Sequence, residues 1–335
     1  MRFGLALPQY GFSLAGAAPV GFDTVAWWGR RAEALGFDSI WLSDHLFYSF
    51  GRYGADPAPI SALEPFTSLA GLAASTSRAR LGVLVACVPF RHPAILAKMT
   101  ATIDVLSGGR FELGVGAGWL EQEFAAFGLP FGSVGERFDA LRETLEVLRL
   151  LRSDEPIDLG GTNVELRQAR LLPRPLHDPL PIWVGGKGGP RLLRLAAELA
   201  DGWNAVWRLE PTGYAERVAV ARALCEEGDR DPATFRLSIG LHALVGETEG
   251  DARAIFERGR ATFPGGALDG ETWESWSADT LSGSPEQAID RIGAFQALGV
   301  EEVVLSPWVL PFAVHEPEIV DAIAERVIGP LAASG

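Results

Sequence analysis

The chain has 335 residues, 47% of them hydrophobic and 21% charged, with a formal net charge of −14 at pH 7. Its length and composition are typical of a soluble globular protein with one large α/β domain or two average ones. The acidity argues against a partner that is nucleic acid or an anionic membrane surface, since both require a basic face.

The chain also lacks the marks of secretion and of membrane insertion. Two cysteines, Cys87 and Cys225, are too few for a disulfide framework in a chain of this size. The amino-terminal stretch MRFGLALPQYG has no sustained apolar core of a signal peptide. No apolar run approaches the roughly 20 residues that span a bilayer. We therefore expect a cytoplasmic protein.

Short apolar runs alternate with helical patterns along the chain. The predicted strands, in chain order, are RFGLALP, SIWLS, RLGVLVA, RFELGVG, PIWVGG, GWNAVW, RLSIGLHAL and EEVVLS. The first predicted helix, DTVAWWGRRAEALG, has Asp23 or Thr24 as N-cap and Gly36 after its end. A later helix has Pro93 in its first turn and Gly108 after its end.

Alternating strands and helices indicate parallel strands that are buried on both faces. A (β/α)₈ TIM barrel is the simplest arrangement of eight such strands, and a doubly wound open sheet is the alternative. We predict the barrel, as a single domain over residues 1–335 with insertions at about 153–179 and 262–283. The first insertion has the pattern of a small hairpin with a proline-rich return, and the second that of a long glycine-rich loop. Either could shape a substrate site or be ornamental.

In a barrel, functional residues gather at the carboxyl ends of the strands. The strongest acid/base candidate there is SDHLF at 43–47, where His45 can titrate near neutrality and Asp44 could tune it. The alternative is that Asp44 caps a turn and His45 packs in the core. The five histidines are scattered, without an HExxH or CxxC pattern, so we predict no metal site.

Two glycine-rich turns follow predicted strands. GVGAGW at 114–119 has G-x-G-x-G spacing, which is not the dinucleotide fingerprint. GGKGGP at 185–190 differs from a Walker loop because glycine, not serine or threonine, follows Lys187. A strand, a glycine turn and a helix beginning at Pro190 would direct free backbone N–H groups at one spot. We predict an anion site there, with a merely flexible turn as the alternative.

Long segments of the chain resemble the luciferase-like monooxygenase family, above all its branch that uses the deazaflavin coenzyme F420. The segments are GFDSIWLSDHLF, RHPAILAKMTATIDVLSGGRFELGVGAGWLEQEFAAFG, ERFDALRETLEVLRLL, LPRPLHDPLPIWVGGKGGPRLLRLAAELADGWN and GVEEVVLSP. The resemblance covers nearly the whole chain. It implies a (β/α)₈ barrel, usually a homodimer, that binds F420 or FMN at the carboxyl face.

The resemblance also implies roles for individual residues. His45 would lie near the redox carbon of the cofactor ring as proton donor or acceptor, with Asp44 as its catalytic neighbour. Leu84 and Val85 fall where the family has a strand bulge, commonly with a non-prolyl cis peptide, behind the ring. The implied cofactor contacts are Ser43, Leu84, Val85, Ala117, Gly118, Gly185, Gly186, Lys187 and Gly188. The last four would hold the phosphate.

One position departs from the family. Its sugar-phosphate dehydrogenases have a catalytic glutamate where this chain has Trp119, and Glu121 and Glu123 are out of register. This argues against sugar-phosphate oxidation. We predict an F420-dependent oxidoreductase that transfers a hydride between the deazaflavin and a small, apolar or aromatic substrate. The alternatives are an FMN-dependent monooxygenase and a non-catalytic cofactor-binding protein.

Overall fold

The computed structural model describes residues 1–16 and 19–333. Eight parallel strands close into a barrel, which confirms the predicted (β/α)₈ fold. In chain order they are β1 (Arg2–Ala6), β2 (Ser39–Leu42), β3 (Arg80–Cys87), β4 (Phe111–Gly116), β5 (Ile182–Gly185), β6 (Gly202–Ala205), β7 (Arg236–Val245) and β8 (Val300–Ser306). Each strand pairs with the next, and β8 pairs with β1 to close the ring.

Eight helices follow the barrel strands in turn and cover the outside of the ring. They are α1 (Phe22–Ala34), α2 (Pro65–Ser75), α3 (Pro93–Ser107), α4 (Val134–Leu150), α5 (Pro190–Leu199), α6 (Pro211–Glu227), α7 (Pro285–Ala297) and α8 (Pro317–Ile323). Six of the eight begin at a proline, whose missing N–H costs nothing in the first turn. Further helical segments span Glu121–Phe127, Glu249–Ala261, Trp273–Asp279, Ala324–Ile328 and Gly329–Ala333. No helix among the described residues is both long enough and apolar enough to cross a bilayer.

The predicted helix ends agree with the structure except at α1. Gly108 follows α3 in the left-handed conformation, with φ of 70°. The prediction of Asp23 or Thr24 as the N-cap of α1 is wrong, because Gly21 caps that helix. The carbonyl of Gly21 already accepts the N–H of Thr24, so the helix starts one residue before Asp23.

The sequence pattern predicted the structure of the first insertion but not that of the second. Residues 153–179 contain an antiparallel hairpin of Ile157–Gly160 and Glu165–Ala169. The prediction of a long loop at 262–283 is wrong, since it contains the helix Trp273–Asp279 and the strand Leu281–Gly283, which pairs with the end of β7. Trp273 and Trp276 are buried, so apolar burial orders this segment despite its glycines.

Tryptophan rings fill space that glycines leave inside the barrel. A Cβ atom at Gly82 would lie 2.2 Å from the ring of Trp41, and one at Gly240 would lie 2.8 Å from the ring of Trp207. Any larger side chain at these glycines would displace an indole. The barrel interior is therefore packed solid, and a ligand site must lie at its mouth.

Charged side chains close the amino-terminal end of the barrel. Glu112 is buried, and it accepts hydrogen bonds from Arg2 at 3.0 Å, from Arg80 and from Nε1 of Trp183 at 2.8 Å. Burial alone would raise the pKa of Glu112, but the arginines outweigh it and lower that pKa. The buried Glu302, also bound by Arg2, has its pKa raised by burial and by Glu112. This end of the barrel holds a fixed ionic cluster.

Candidate active site

The predicted site residues lie on one arc of the barrel mouth. They end or follow β2, β3, β4 and β5, which are consecutive neighbours in the sheet. The carboxyl ends of parallel strands open on the same face of a barrel. The structure therefore brings the segments from Ser43 to Gly188, which are distant in sequence, to one side of the carboxyl face.

His45 leaves β2 with its side chain bound to a buried carboxylate. Its Nδ1 lies 2.7 Å from Oε1 of Glu123, and the other oxygen of Glu123 accepts the N–H of Leu46. The rings of Tyr48 and Trp119 pack edge-on against the imidazole, at centroid distances of 5.4 and 5.6 Å. A histidine held by a buried carboxylate is a suitable acid/base pair, so His45 and Glu123 are the acid/base candidates of this arc.

Sequence reasoning did not assign Glu123 to the site. It compared Glu123 with the glutamate that the family has at the position of Trp119 and found it out of register. In the structure the short helix Glu121–Phe127 turns Glu123 inward and leaves Glu121 exposed. Leu120, Glu123 and Phe124 are all buried, and their i, i+3, i+4 spacing was the available signal for an inward-facing carboxylate.

Asp44 is bound to groups other than His45. Its Oδ2 accepts the N–H of Cys87 at 2.9 Å and one nitrogen of Arg91, while Oδ1 accepts the other nitrogen at 3.0 Å. Arg91 also binds Glu64 at 2.7 Å. Burial raises the pKa of Asp44, and Arg91 opposes that rise. Asp44 thus ties the end of β2 to the segment after β3, and its catalytic role stays a prediction.

Ser43 is buried and joins β2 to the loop after β1. Its N–H donates to Oε1 of Gln9 at 2.6 Å, and its carbonyl accepts from Nε2 of the same residue at 2.7 Å. Its hydroxyl is hydrogen-bonded to the hydroxyl of Tyr10. These bonds anchor the start of the SDH segment, and contact of Ser43 with a cofactor stays a prediction.

The strand β3 has the bulge and the cis peptide that the family resemblance implied. The Leu84–Val85 peptide is cis, and the pairing of β3 with β4 shifts register across it. The half-buried Val85 side chain projects between β4 and β5. A Cβ at Gly116 would lie 2.6 Å from Cγ2 of Val85, and one at Gly185 would lie 2.3 Å from Cγ1. Glycines on the neighbouring strands thus make room for the bulge.

The exit from β4 also requires glycine. Gly118 has φ of 77°, and a Cβ there would lie 2.7 Å from Sγ of Cys87. Ala117, just before it, is half-buried. The backbone of β4 therefore approaches the end of β3 closely beside the bulge, where the predicted cofactor contacts lie.

The turn after β5 is fixed through its carbonyl groups. The carbonyl of Gly186 accepts from Nε1 of Trp203, and that of Lys187 accepts from Nε of Arg217, both at 2.9 Å. Gly188 has φ of 75°, and a Cβ there would lie 2.6 Å from the Trp203 ring. The N–H groups of residues 187–189 donate to no group in the described part of the chain. A rigid turn with free N–H groups ahead of α5 suits a phosphate.

The opposite arc, at the ends of β6, β7 and β8, is aromatic. Trp207 follows a second non-prolyl cis peptide, Val206–Trp207, which no local sequence signal predicted, and it packs 5.2 Å from the ring of Phe312. His242 is buried, with Nδ1 2.7 Å from the carbonyl of Trp308. Burial lowers the pKa of His242 to about 4, so its imidazole is neutral near pH 7. This arc offers packing surface where the first arc offers acid/base groups.

The described residues bring together no three His, Cys, Asp or Glu side chains that could hold a metal ion. A closed barrel with a histidine–carboxylate pair, a strand bulge and a glycine-rich turn on one arc of its carboxyl face defines a TIM barrel of the kind whose functional residues lie at that face. A model of the luciferase-like monooxygenase family matches residues 1–302. The chain belongs to that family.

Several relatives carry names that include the coenzyme. The chain is 30% identical over 298 residues to the F420-dependent hydroxymycolic acid dehydrogenase of Mycobacterium tuberculosis, covering 86% of this chain and 78% of the relative. It is 34% identical over 174 residues to the F420-dependent glucose-6-phosphate dehydrogenase of Amycolatopsis mediterranei, covering 52% of this chain and 50% of the relative. The chain spans about half to two-thirds of the length of several other curated relatives that it matches.

Solved structures share the fold at low sequence identity. The F420-dependent tetrahydromethanopterin reductase of Methanopyrus kandleri matches with a TM-score of 0.77 and 22% identity, covering 98% of this chain and 99% of that one. The EDTA monooxygenase of Chelativorans sp. BNC1 matches with a TM-score of 0.81 and 17% identity, covering 100% of this chain and 94% of that one. At these identities the likeness concerns the fold alone.

Proposed function

We propose that this protein is an F420-dependent oxidoreductase that transfers a hydride between the deazaflavin and a small apolar or aromatic substrate. The observation that carries the proposal is the arc on which the His45–Glu123 pair, the bulge at Val85 and the glycine turn after β5 come together. Relatives named for F420-dependent dehydrogenation support the choice of cofactor.

The turn at 185–188 would hold the phosphate of the cofactor through backbone N–H groups, and the exposed Lys187 would add a positive charge. Ser43, the bulge at Leu84 and Val85, and the close-packed Ala117–Gly118 backbone would lie against the ring. Bound F420 supplies a carbon that accepts or gives up a hydride. His45 would take or return the proton that accompanies that transfer.

The substrate class follows from the rings around His45. Trp119 and Phe127 are exposed at the barrel mouth, and Phe47 packs 6.3 Å from Phe127. Such a rim favours an apolar or aromatic substrate. The named relatives act on compounds that carry hydroxyl groups, which supports a substrate with an alcohol or the corresponding carbonyl.

We further infer one domain and a homodimer in the cytoplasm. Ile95 and Leu106 on α3 are each 56% exposed, which supports an apolar face that a second copy would cover. Sedimentation of the purified protein tests the dimer, and a monomer at micromolar concentration would contradict it.

An FMN-dependent monooxygenase is the second candidate, favoured by the match to the luciferase-like monooxygenase family. Titration of the apoprotein with F420 and, separately, with FMN distinguishes the two by the dissociation constants. We expect tight binding of F420 and weak binding of FMN. Tight FMN binding without F420 binding would favour the monooxygenase. F420 binding without hydride exchange across a panel of alcohols and ketones would indicate a non-catalytic binding protein.

The phosphate site can be tested with variants of neighbouring glycines. Gly188→Ala forces a side chain into a left-handed conformation against Trp203, so we expect F420 affinity to fall roughly tenfold or more. Gly189→Ala is the matched control, because Gly189 has φ of −65° and a Cβ there meets nothing within 4 Å. Lys187→Ala should weaken binding by less than about fivefold, as an exposed charge contributes little. Equal affinity for all three variants would contradict the site.

A further inference from the structure

We propose that Glu123 is the positioning residue of this site: it holds the hydrogen of the His45 imidazole on Nδ1 and thereby makes Nε2 the atom that exchanges a proton with the substrate. The proposal deepens the proposed function and rests on it for the identity of the reaction. The tautomer itself can be measured without any reaction.

The carboxylate of Glu123 is held in one orientation by backbone donors. Its Oε2 accepts the N–H of Leu46 and, at 3.4 Å, that of Phe47, while Oε1 lies 2.7 Å from Nδ1 of His45. Backbone N–H groups cannot change their role, so Oε2 must stay turned toward them. The remaining oxygen is thereby aimed at the imidazole.

That arrangement decides the tautomer. An ionised carboxylate only accepts hydrogen bonds, so the 2.7 Å contact requires a hydrogen on Nδ1. A neutral imidazole carries one N–H, which leaves Nε2 with a free lone pair. Among the described residues, no group lies within hydrogen-bonding distance of Nε2. The rings of Tyr10, Tyr48 and Trp119 flank the imidazole at 6.1, 5.4 and 5.6 Å and offer no competing charge.

Other ionisable groups around His45 are neutral or already paired. Burial raises the pKa values of the Tyr10 and Tyr48 hydroxyls and of the Cys87 thiol, so all three stay protonated near neutral pH. Asp44 is paired with Arg91. The guanidinium of Arg52 lies over the Trp119 ring, 5.2 Å from its centroid. Within the described chain, Glu123 therefore supplies the one carboxyl group that is hydrogen-bonded to His45.

The consequence for the reaction is a defined route for the proton. When an alcohol is oxidised, its O–H proton passes to Nε2 of His45, its C–H hydrogen leaves with both electrons as a hydride to F420, and the C=O bond forms. Glu123 then lies beside an imidazolium and stabilises its charge. In the reverse direction Nε2 returns the proton to the carbonyl oxygen.

The test is the variant Glu123→Gln. The single amide oxygen must face the N–H of Leu46, so the amide NH₂ faces Nδ1 and donates to it, which moves the imidazole hydrogen to Nε2. Nitrogen-15 NMR of the cofactor-free protein should show His45 protonated on Nδ1 in the wild type and on Nε2 in the variant. With F420 and a panel of secondary alcohols, kcat should fall about 10²- to 10⁴-fold with little change in KM.

Glu121→Gln is the matched control, since Glu121 lies on the same helix and is exposed. It should change neither the tautomer nor kcat. Glu123→Asp keeps a carboxylate and should retain the Nδ1 tautomer with part of the activity. A wild-type His45 protonated on Nε2, or a Glu123→Gln variant with an unchanged tautomer and full kcat, would overturn the proposal. If the wild type oxidises no alcohol with F420, the proposed reaction fails, while the NMR result still decides the role of Glu123.

Discussion

Two buried glutamates lie near opposite ends of β4, and different groups bind them. Glu112, at the start of the strand, is held by Arg2, Arg80 and the indole N–H of Trp183. Glu123, just after its end, is held by His45 and by a backbone N–H. Both residues are 1% exposed, so burial does not distinguish them.

The partner decides what each carboxylate can do. Arginine does not give up its proton in proteins, so Glu112 and its arginines form a permanent ionic cluster. Glu123 instead binds an imidazole, a group that can both accept and donate a proton, so this pair is suited to acid/base chemistry. The first lies at the amino-terminal end of the barrel, which carries stability, and the second at the carboxyl end, which carries chemistry.

The largest expected effect is the loss of activity in His45→Ala. The variant should bind F420 with nearly wild-type affinity, while kcat falls about 10²- to 10⁴-fold because the proton acceptor is gone. Steady-state kinetics and fluorescence titration of F420 measure the two quantities. Unchanged turnover would show that His45 takes no part in the mechanism. The two ends of the barrel would then not differ in the way described above.

Glu112→Gln should instead affect stability. It removes the buried counter-charge of Arg80 and one of the two buried counter-charges of Arg2, and breaking a buried ion pair typically costs about 3–5 kcal/mol. Urea unfolding measures this free energy. Glu301→Gln is the control, because the side chain of Glu301 is 41% exposed where it pairs with Arg236 at 3.0 Å and with Arg2 at 4.0 Å, and it should cost at most about 1 kcal/mol. Equal stability of both variants would mean that the cluster does not stabilise the barrel.

A smaller effect is expected for His242, whose partner is a carbonyl instead of a carboxylate. Its folded pKa of about 4 lies below the ordinary 6.5, so the unfolded chain binds the proton more readily. The free energy of unfolding should therefore fall as the pH drops from about 6.5 toward 4. One pKa unit corresponds to about 1.36 kcal/mol, so the total fall is up to about 3 kcal/mol.

His242→Asn removes this titration. As the pH falls through that range, the unfolding free energy of the wild type should therefore decrease relative to that of the variant. If the two proteins instead showed parallel pH dependence, the pKa of His242 would be the same in the folded and unfolded chains, and the partner would not decide how a strand-end histidine behaves.

Local sequence signals were sufficient to predict the barrel and the face on which the predicted site residues lie. The eight apolar runs, the glycine after α3 and the prolines that begin helices reflect short-range preferences, so they are legible without a structure. Once the strands close in chain order, residues at their carboxyl ends share one face. His45 and the Gly185–Gly188 turn could therefore be assigned to one site from the sequence. The role of Leu84–Val85 came from the family resemblance.

The tertiary structure alone decided which groups meet. His45 and Glu123 are 78 positions apart, and Asp44 and Arg91 are 47 apart, so no local pattern links them. The same holds for the order in 262–283, where burial of Trp273 and Trp276 overrides the glycines. The sequence by itself determined the strands, most of the helix ends that were predicted and the face on which the predicted site residues lie. Barrel closure and strand register, which depend on the whole chain, determined that a carboxylate binds His45.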